Sequence, residues 1–385
     1  MSTTPVQQAC PNTTIPYSNG RTQPQQRSTS NISDRLRTVS AIAILQVLFI
    51  HASNLTIRFQ NVTYSDSTWL NVAIQNALSN GICRTAVPLF FAISGYLFFT
   101  KIAQRPGAKW YLATLLKRAR TLAIPYFIWS AGALLLFAAA QQIGPLRPFF
   151  SGKLLGSDTL PELLYRVFLN PLPFQFWFLR DLIAFTLISP ALFLCIRRMP
   201  TVALGLLAWF WLGDVNLQLV DTGGLLFFVA GGALAVYPQW RIAVSRRTRR
   251  VALFLWLAAI IFNAALSSNL NLQPNAAQRL MSVLGVAALW LNCDALGARV
   301  RRLLASLAEL NFFIFASHEP LLTTLKKVGH WTLGFSQGAI MIVYFVAPLV
   351  TFGITVVSAL MLRRLSPAAF AILTGGRGLR KRGSG

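Results

Sequence analysis

Charge is what this chain of 385 residues has least of: 12% of its positions are Asp, Glu, Lys or Arg, 55% are hydrophobic, and the mean hydropathy is +0.55. A water-facing surface needs about twice that charge, so an ordinary soluble globule is excluded and a polytopic membrane protein is implied. Cysteine is also sparse. Cys10, Cys83, Cys195 and Cys293 have no paired spacing, so they build neither a disulfide framework nor a metal site and read as small apolar packers. The first thirty residues lack the apolar core of a secretory signal and are rich in Gln, Thr, Ser and Pro, which reads as a disordered tail. No Gly-rich phosphate loop, heptad array or internal repeat is present.

The charge that is present is mostly of one sign, with a net of +25. Basic clusters can bind nucleic acid, but here the cations fall in the gaps between apolar runs, as the topology rule for cytoplasmic loops requires. Ten runs approach bilayer length, at about 39–57, 82–100, 122–140, 174–196, 200–215, 222–237, 251–267, 280–296, 309–325 and 338–362. With the N-terminus inside, 26 of the 35 Lys and Arg residues fall on the inner side. The expected fold is therefore an all-α, polytopic membrane bundle of about ten transmembrane helices with both termini cytoplasmic. The two long outer segments, Thr56 to Asn80 and Gln141 to Pro173, read as half-ordered caps over the bundle.

One stretch organises the rest, DRLRTVSAIAILQVLFIHASN from Asp34 to Asn54. As a helix, its fourteen steps from Arg37 to His51 cover roughly 21 Å and leave the two within about 40° on one face. A titratable imidazole at one membrane surface thus shares a stripe with a cation at the other.

Ionisable residues inside spans cost on the order of 2.5 to 3.5 kcal/mol each on insertion, so those that remain are functional candidates. They are His51 in the first run, Arg180 and Asp181 in the fourth, and His318 with Glu319 in the ninth, with Arg84 at the outer start of the second. Arg180 and Asp181 adjoin but project about 100° apart, so pairing with other helices is expected rather than with each other; the structural alternative is a charge-neutralised tether. Pro320, after His318 and Glu319, frees backbone carbonyls in mid-span and kinks the helix over a wet or protein-lined cavity. The His and Glu there suit acid–base work or a hydrogen-bonded structural pair. His330, beyond Lys326 and Lys327, is expected to be a solvated surface residue. The cluster Lys117, Arg118 and Arg120 suits either positive-inside anchoring or a phosphate-rich cytosolic cosubstrate.

Several stretches together resemble the integral-membrane acyltransferase family 3, bacterial enzymes that O-acylate surface polysaccharides. They are Asp34-Arg35-Leu36-Arg37 with IHAS at His51, VPLFFAISGYL from Val87, KRARTLAIPY from Lys117, WFLRDLIAFTLISP from Trp177 and FFIFASHEPLL from Phe312. The family's first-helix signature has an Arg eleven residues before the His. Here that position is Ser40, and the nearest arginine is Arg37.

The resemblance implies acyl-CoA, usually acetyl-CoA, as donor cosubstrate and a sugar hydroxyl on a lipid-linked or periplasmic glycan as acceptor, in the bacterial inner membrane. It implies no metal and no nucleic acid; membrane lipid is the surroundings. His51 would be the base or a transient acyl carrier, with Arg180, Asp181, His318 and Glu319 orienting it or the acceptor, or neutralising the thioester oxyanion. Arg37, Lys117, Arg118 and Arg120 would hold the CoA phosphates. The expected plan is a disordered cytoplasmic tail over 1–33, a transmembrane acyltransferase domain over 34–365 and a basic cytoplasmic tail over 366–385. The competing readings are a transporter or flippase for an envelope glycan or lipid, for which ten helices with buried charges are equally natural, and a non-catalytic scaffold.

Overall fold

The computed structural model describes residues 24–377 apart from 60–61, 67, 105–106, 145–154, 157, 216, 218, 242–243 and 271–274. The backbone is almost wholly helical, the state in which an apolar segment satisfies its own N–H and C=O groups. Among the described residues, six helical stretches are long and apolar enough to cross a membrane. They are Ile32–Ala52, Trp69–Gln104, Ala108–Gln142, Arg246–Ala265, Ala276–Ala295 and Gln337–Leu365.

The fourth expected run departs from a single span. It is two helices, α6 (Trp177–Leu187) and α7 (Ser189–Arg198), and the broken span turns by 67° between them. Pro190 in the first turn of α7 has no N–H to give back to the preceding turn, so the helix stops and restarts there. The next two runs form short helices of 13 and 15 residues, α8 (Pro200–Leu212) and α9 (Thr222–Val236). At 1.5 Å per residue these reach only about 20 and 23 Å. α8 buries none of its residues, whereas α9 is buried from Thr222 to Ala233 on nearly every face.

α9 lies against α3 (Ala86–Gln104) at backbone distance. A methyl group built at Gly95 of α3 would overlap the Phe228 carbonyl oxygen, and one at Gly231 of α9 would overlap that of Ala92. Small residues at both contacts permit this approach, as in membrane helix pairs generally. Around it Phe91, Phe98, Phe99, Phe185 and Phe228 form the aromatic part of the main core. A second cluster gathers on α1 (Pro24–Ala52), where Val39, Ala43, Ile44, Val47 and Leu48 recur at helical spacing. They pack on Ile314 of α13 (Asn311–Leu333) and Ala359 of α14 (Gln337–Leu365).

The two ends of the bundle differ. At the end where α1 finishes, Thr56–Phe59 and Val62–Ser65 pair as an antiparallel hairpin, β1 and β2. It is followed by α2 (Trp69–Gln75) and a π-helical stretch, Asn76–Ile82, that runs on into α3. The first outer segment is thus built rather than half-ordered. Asp66 holds its base: the carboxylate accepts from the Thr68 N–H at 2.8 Å and from the Asn71 amide. Burial alone would push the Asp66 carboxyl up, but those hydrogen bonds outweigh it and hold it below the usual carboxylate range.

His330 is not the solvated residue expected. It is 1% exposed, stacks on Phe335 at 5.2 Å, and Phe335 in turn stacks on Tyr64 of the hairpin at 3.7 Å. The hairpin folds over the end of α13 and excludes water from it. The opposite end, where Arg35 and Arg37 begin the membrane part of α1, is the basic end. There α15 (Pro367–Thr374) follows α14, buries Phe370 and offers the Leu373 carbonyl to Trp129 Nε1 at 3.0 Å. Gly375, at φ +62°, then brings the chain against the Thr121 carbonyl, an approach that a side chain there would block.

Candidate active site

The last turn of α1 and the middle of α13 bring two imidazoles together. The rings of His51 and His318 stack with centroids 5.4 Å apart and planes 27° from parallel. Phe174 meets the His51 ring edge-on at 4.8 Å. Lys326 Nζ donates to the carbonyls of His51, at 2.8 Å, and Ser53, at 3.1 Å, so a cation from α13 closes the C-terminal end of α1. His318 is fully buried, and its Nδ1 lies 2.7 Å from the Phe315 carbonyl. A carbonyl only accepts, so Nδ1 carries the proton in that bond. In the neutral ring Nε2 then keeps its lone pair, and it has no partner among the described residues.

His51 opens onto a cavity of about 640 Å³, within the range of small-molecule sites. Trp177, Phe178, Trp211 and Phe227 give it aromatic walls, while Arg84, Gln175 and Arg279 supply polar groups. Arg279, on α11 (Asn275–Asn292), is engaged with the Leu212 carbonyl at 3.0 Å and with Asp214. Gln175 is 2% exposed, and neither of its amide atoms has a hydrogen-bond partner among the described residues. Arg84 stands out in the sequence by its charge, whereas Gln175, a neutral residue, gives no such signal.

Arg180 and Asp181 do not line this cavity, and their ion pair is with each other, although each also bonds to the backbone of another element. Arg180 Nε and Nη2 lie 3.0 and 2.9 Å from Asp181 Oδ1. The guanidinium is long enough to fold back across the 100° between the two positions. Asp181, with a fully buried side chain, accepts at its other oxygen from the Asp221 N–H at 2.7 Å, and the Asp221 carboxylate caps α9 at the Gly224 N–H. Arg180 also donates to the Leu169 carbonyl at 2.9 Å. Glu319 Oε1 accepts from Thr323 at 2.9 Å, one turn along α13.

The remaining expected site residues are at the basic end. Arg37 lies 3.7 Å from Glu309, which also meets Arg363 at 3.3 Å, while Ser40 donates to the Arg37 carbonyl at 2.9 Å. Lys117, Arg118 and Arg120 all lie in the first half of α4 (Ala108–Gln142), with Arg118 half-buried and the other two exposed. Arg377 joins them from the far end of the chain. It donates to the Thr121 carbonyl at 3.0 Å and lies over the Phe312 ring at 4.6 Å. Burial, with repulsion from Arg118, pushes its guanidinium down to about 9. Among the described residues no group of three or more His, Cys, Asp or Glu could hold a metal ion.

A family model described as an acyltransferase domain, acyltransferase family 3, matches residues 36–364, most of the chain. The chain belongs to this family. The matched region runs from the start of the membrane part of α1 to the end of α14, so both stacked histidines of this acyltransferase lie within it. It is also similar to the succinoglycan biosynthesis protein ExoH of Rhizobium meliloti (strain 1021), 29% identical over 366 residues that span 90% of this chain and 93% of the relative. No solved structure matches the acyltransferase.

Proposed function

We propose that this membrane acyltransferase moves an acyl group, acetyl in the first instance, from cytosolic acyl-CoA to a sugar hydroxyl of a lipid-linked or periplasmic exopolysaccharide. The similarity to a succinoglycan biosynthesis protein supports an exopolysaccharide as the acceptor class. The excess of Lys and Arg on one side supports cytoplasmic termini in a bacterial inner membrane. The observation that carries the reading is the stacked His51–His318 pair at the edge of an aromatic-walled cavity, one helix length from a cluster of cations.

In this reading Lys117, Arg118, Arg120 and Arg377 hold the donor phosphates, since guanidinium and ammonium groups make charge-assisted bonds to phosphate oxygens. Arg37 belongs to the same end and shares Glu309 with Arg363. A sugar hydroxyl is a poor nucleophile at neutral pH, and an imidazole is the side chain suited to take its proton during attack. His51 takes that proton as the hydroxyl oxygen bonds to the thioester carbonyl carbon. The carbon–sulfur bond then breaks, and the proton on His51 passes to the leaving thiolate. His318 stacks on the His51 ring and holds it in place. Arg180 and Asp181 position the start of α9 and so one wall of the cavity, and Glu319 acts through its neighbourhood on α13.

NMR of the surface polysaccharide tests the assignment with the gene intact, deleted and carrying His51→Ala. One O-acyl signal should disappear in both altered strains. Full acylation with a stably inserted His51→Ala protein would overturn the role of His51.

A further inference from the structure

Among the described residues that line the cavity, Gln175 is a buried polar side chain with no hydrogen bond to account for its burial. It sits in a three-residue 3₁₀ turn, Phe174–Phe176, that sends each residue to a different place. Phe174 lies edge-on to the His51 ring at 4.8 Å, and Phe176 is fully buried in the aromatic core. Gln175, between them, lines the cavity at 2% exposure with both its amide oxygen and its amide nitrogen unpartnered. A buried amide lacking both bonds is a standing cost to the fold, and an apolar residue of the same size would remove it. A ligand in the cavity that supplied both bonds would remove that cost.

An amide presents one acceptor and two donors side by side. That pattern matches two neighbouring hydroxyls of a pyranose ring, one donating to Oε1 while the other accepts from Nε2. The flat rings of Trp177 and Trp211 on the same cavity wall suit the C–H face of that ring. We infer that the cavity is the acceptor-sugar site and that Gln175 binds a vicinal pair of sugar hydroxyls there. Gln175 and His51 line the same cavity, so a sugar held at Gln175 occupies the space onto which His51 opens. The inference rests on the acyl-transfer reading for the identity of the ligand, and it makes Gln175 an acceptor-binding residue with no part in donor binding.

The test uses the full chain in lipid nanodiscs, with de-acylated repeating-unit oligosaccharide from the surface glycan of the gene-deleted strain as probe. Binding is measured by saturation-transfer NMR for wild type, Gln175→Leu and Gln175→Met. Both variants should bind the oligosaccharide at least about tenfold more weakly, the loss expected when a sugar hydroxyl loses its partner. Both should melt at or above the wild-type temperature, because the unpaired amide is removed from the buried wall. Affinity unchanged in both variants, melting lowered in both, or no oligosaccharide binding by the wild type would each overturn the inference. Gln175-dependent binding by a protein that transfers no acyl group would uphold the sugar site and overturn the catalytic reading instead.

Discussion

The Arg180–Asp181 and His51–His318 pairs are both made of ionisable side chains set in apolar runs, but one is saturated and the other is not. Asp181 receives bonds from Arg180 and from the Asp221 N–H, and Arg180 also reaches the Leu169 carbonyl. His318 is bonded through Nδ1 to the Phe315 carbonyl, its Nε2 has no partner among the described residues, and it stacks on an imidazole that faces a cavity. Buried polar groups with all their partners hold a fold together; buried groups lacking one are left for a ligand or a proton. The same contrast separates Asp221, which caps α9, from Gln175, whose amide has no hydrogen-bond partner among the described residues.

The sharpest separation should come from His51→Ala. Loss of a general base lowers acyl transfer by about 10²- to 10⁴-fold. The melting temperature should change little, because the His51 ring makes stacking contacts and its carbonyl, which Lys326 uses, is retained. A comparable fall in melting temperature would make His51 a structural residue. Asp181→Ala should do the reverse. Removing one partner of a buried pair costs about 3 to 5 kcal/mol, read as a large drop in thermal stability, with activity lost only in proportion to folded protein. If Asp181→Ala folds normally but is inactive, the division drawn between the two pairs is wrong.

A third effect belongs to the basic end. Reversing Lys117, Arg118 and Arg120 to Glu should raise the donor KM by about 10- to 100-fold, the worth of one or two charge-assisted bonds, and leave oligosaccharide binding at the other end intact. An unchanged donor KM would remove the phosphate-binding assignment.

The smallest effect concerns the hairpin. Asp66 has a depressed carboxyl, so its contribution is fully present above the ordinary carboxylate range near 3.8 and fades as pH falls through the still lower value in the fold. Asp66→Ala should loosen residues 56–66 by about 1 kcal/mol in hydrogen exchange at pH 7 without altering acyl transfer. The wild-type hairpin should approach the variant only below about pH 4. Equal protection in both at pH 7 would show that the Asp66 clamp contributes nothing.

Much of this was legible in the sequence because charge in an apolar run is conspicuous. His51 and His318 could be picked out as candidates, and the ordered stretches around them carried the family resemblance. Geometry within a run was less visible. The apolar stretch from 174 to 196 reads as continuous, and only Ser189-Pro190 marks the place where the bundle bends. Cβ directions correctly put Arg180 and Asp181 100° apart, but a guanidinium at the end of a flexible stem can undo that separation. His330 looked exposed because its neighbours are two lysines; its burial depends on Tyr64, far away in the chain. Run length also fails to distinguish a membrane span from a short helix buried among others, as α9 shows. Gln175 was invisible because a neutral amide carries no insertion penalty large enough to single it out.

The stacked histidines also impose an order on biogenesis. The lysine that closes the end of α1 lies 275 positions beyond His51, with His318 shortly before it on the same helix. Translation therefore delivers the first half of the site long before the second, and α1 must wait in the membrane while the intervening helices are made. A ribosome-bound chain that stops before α13 carries the first imidazole but no pair.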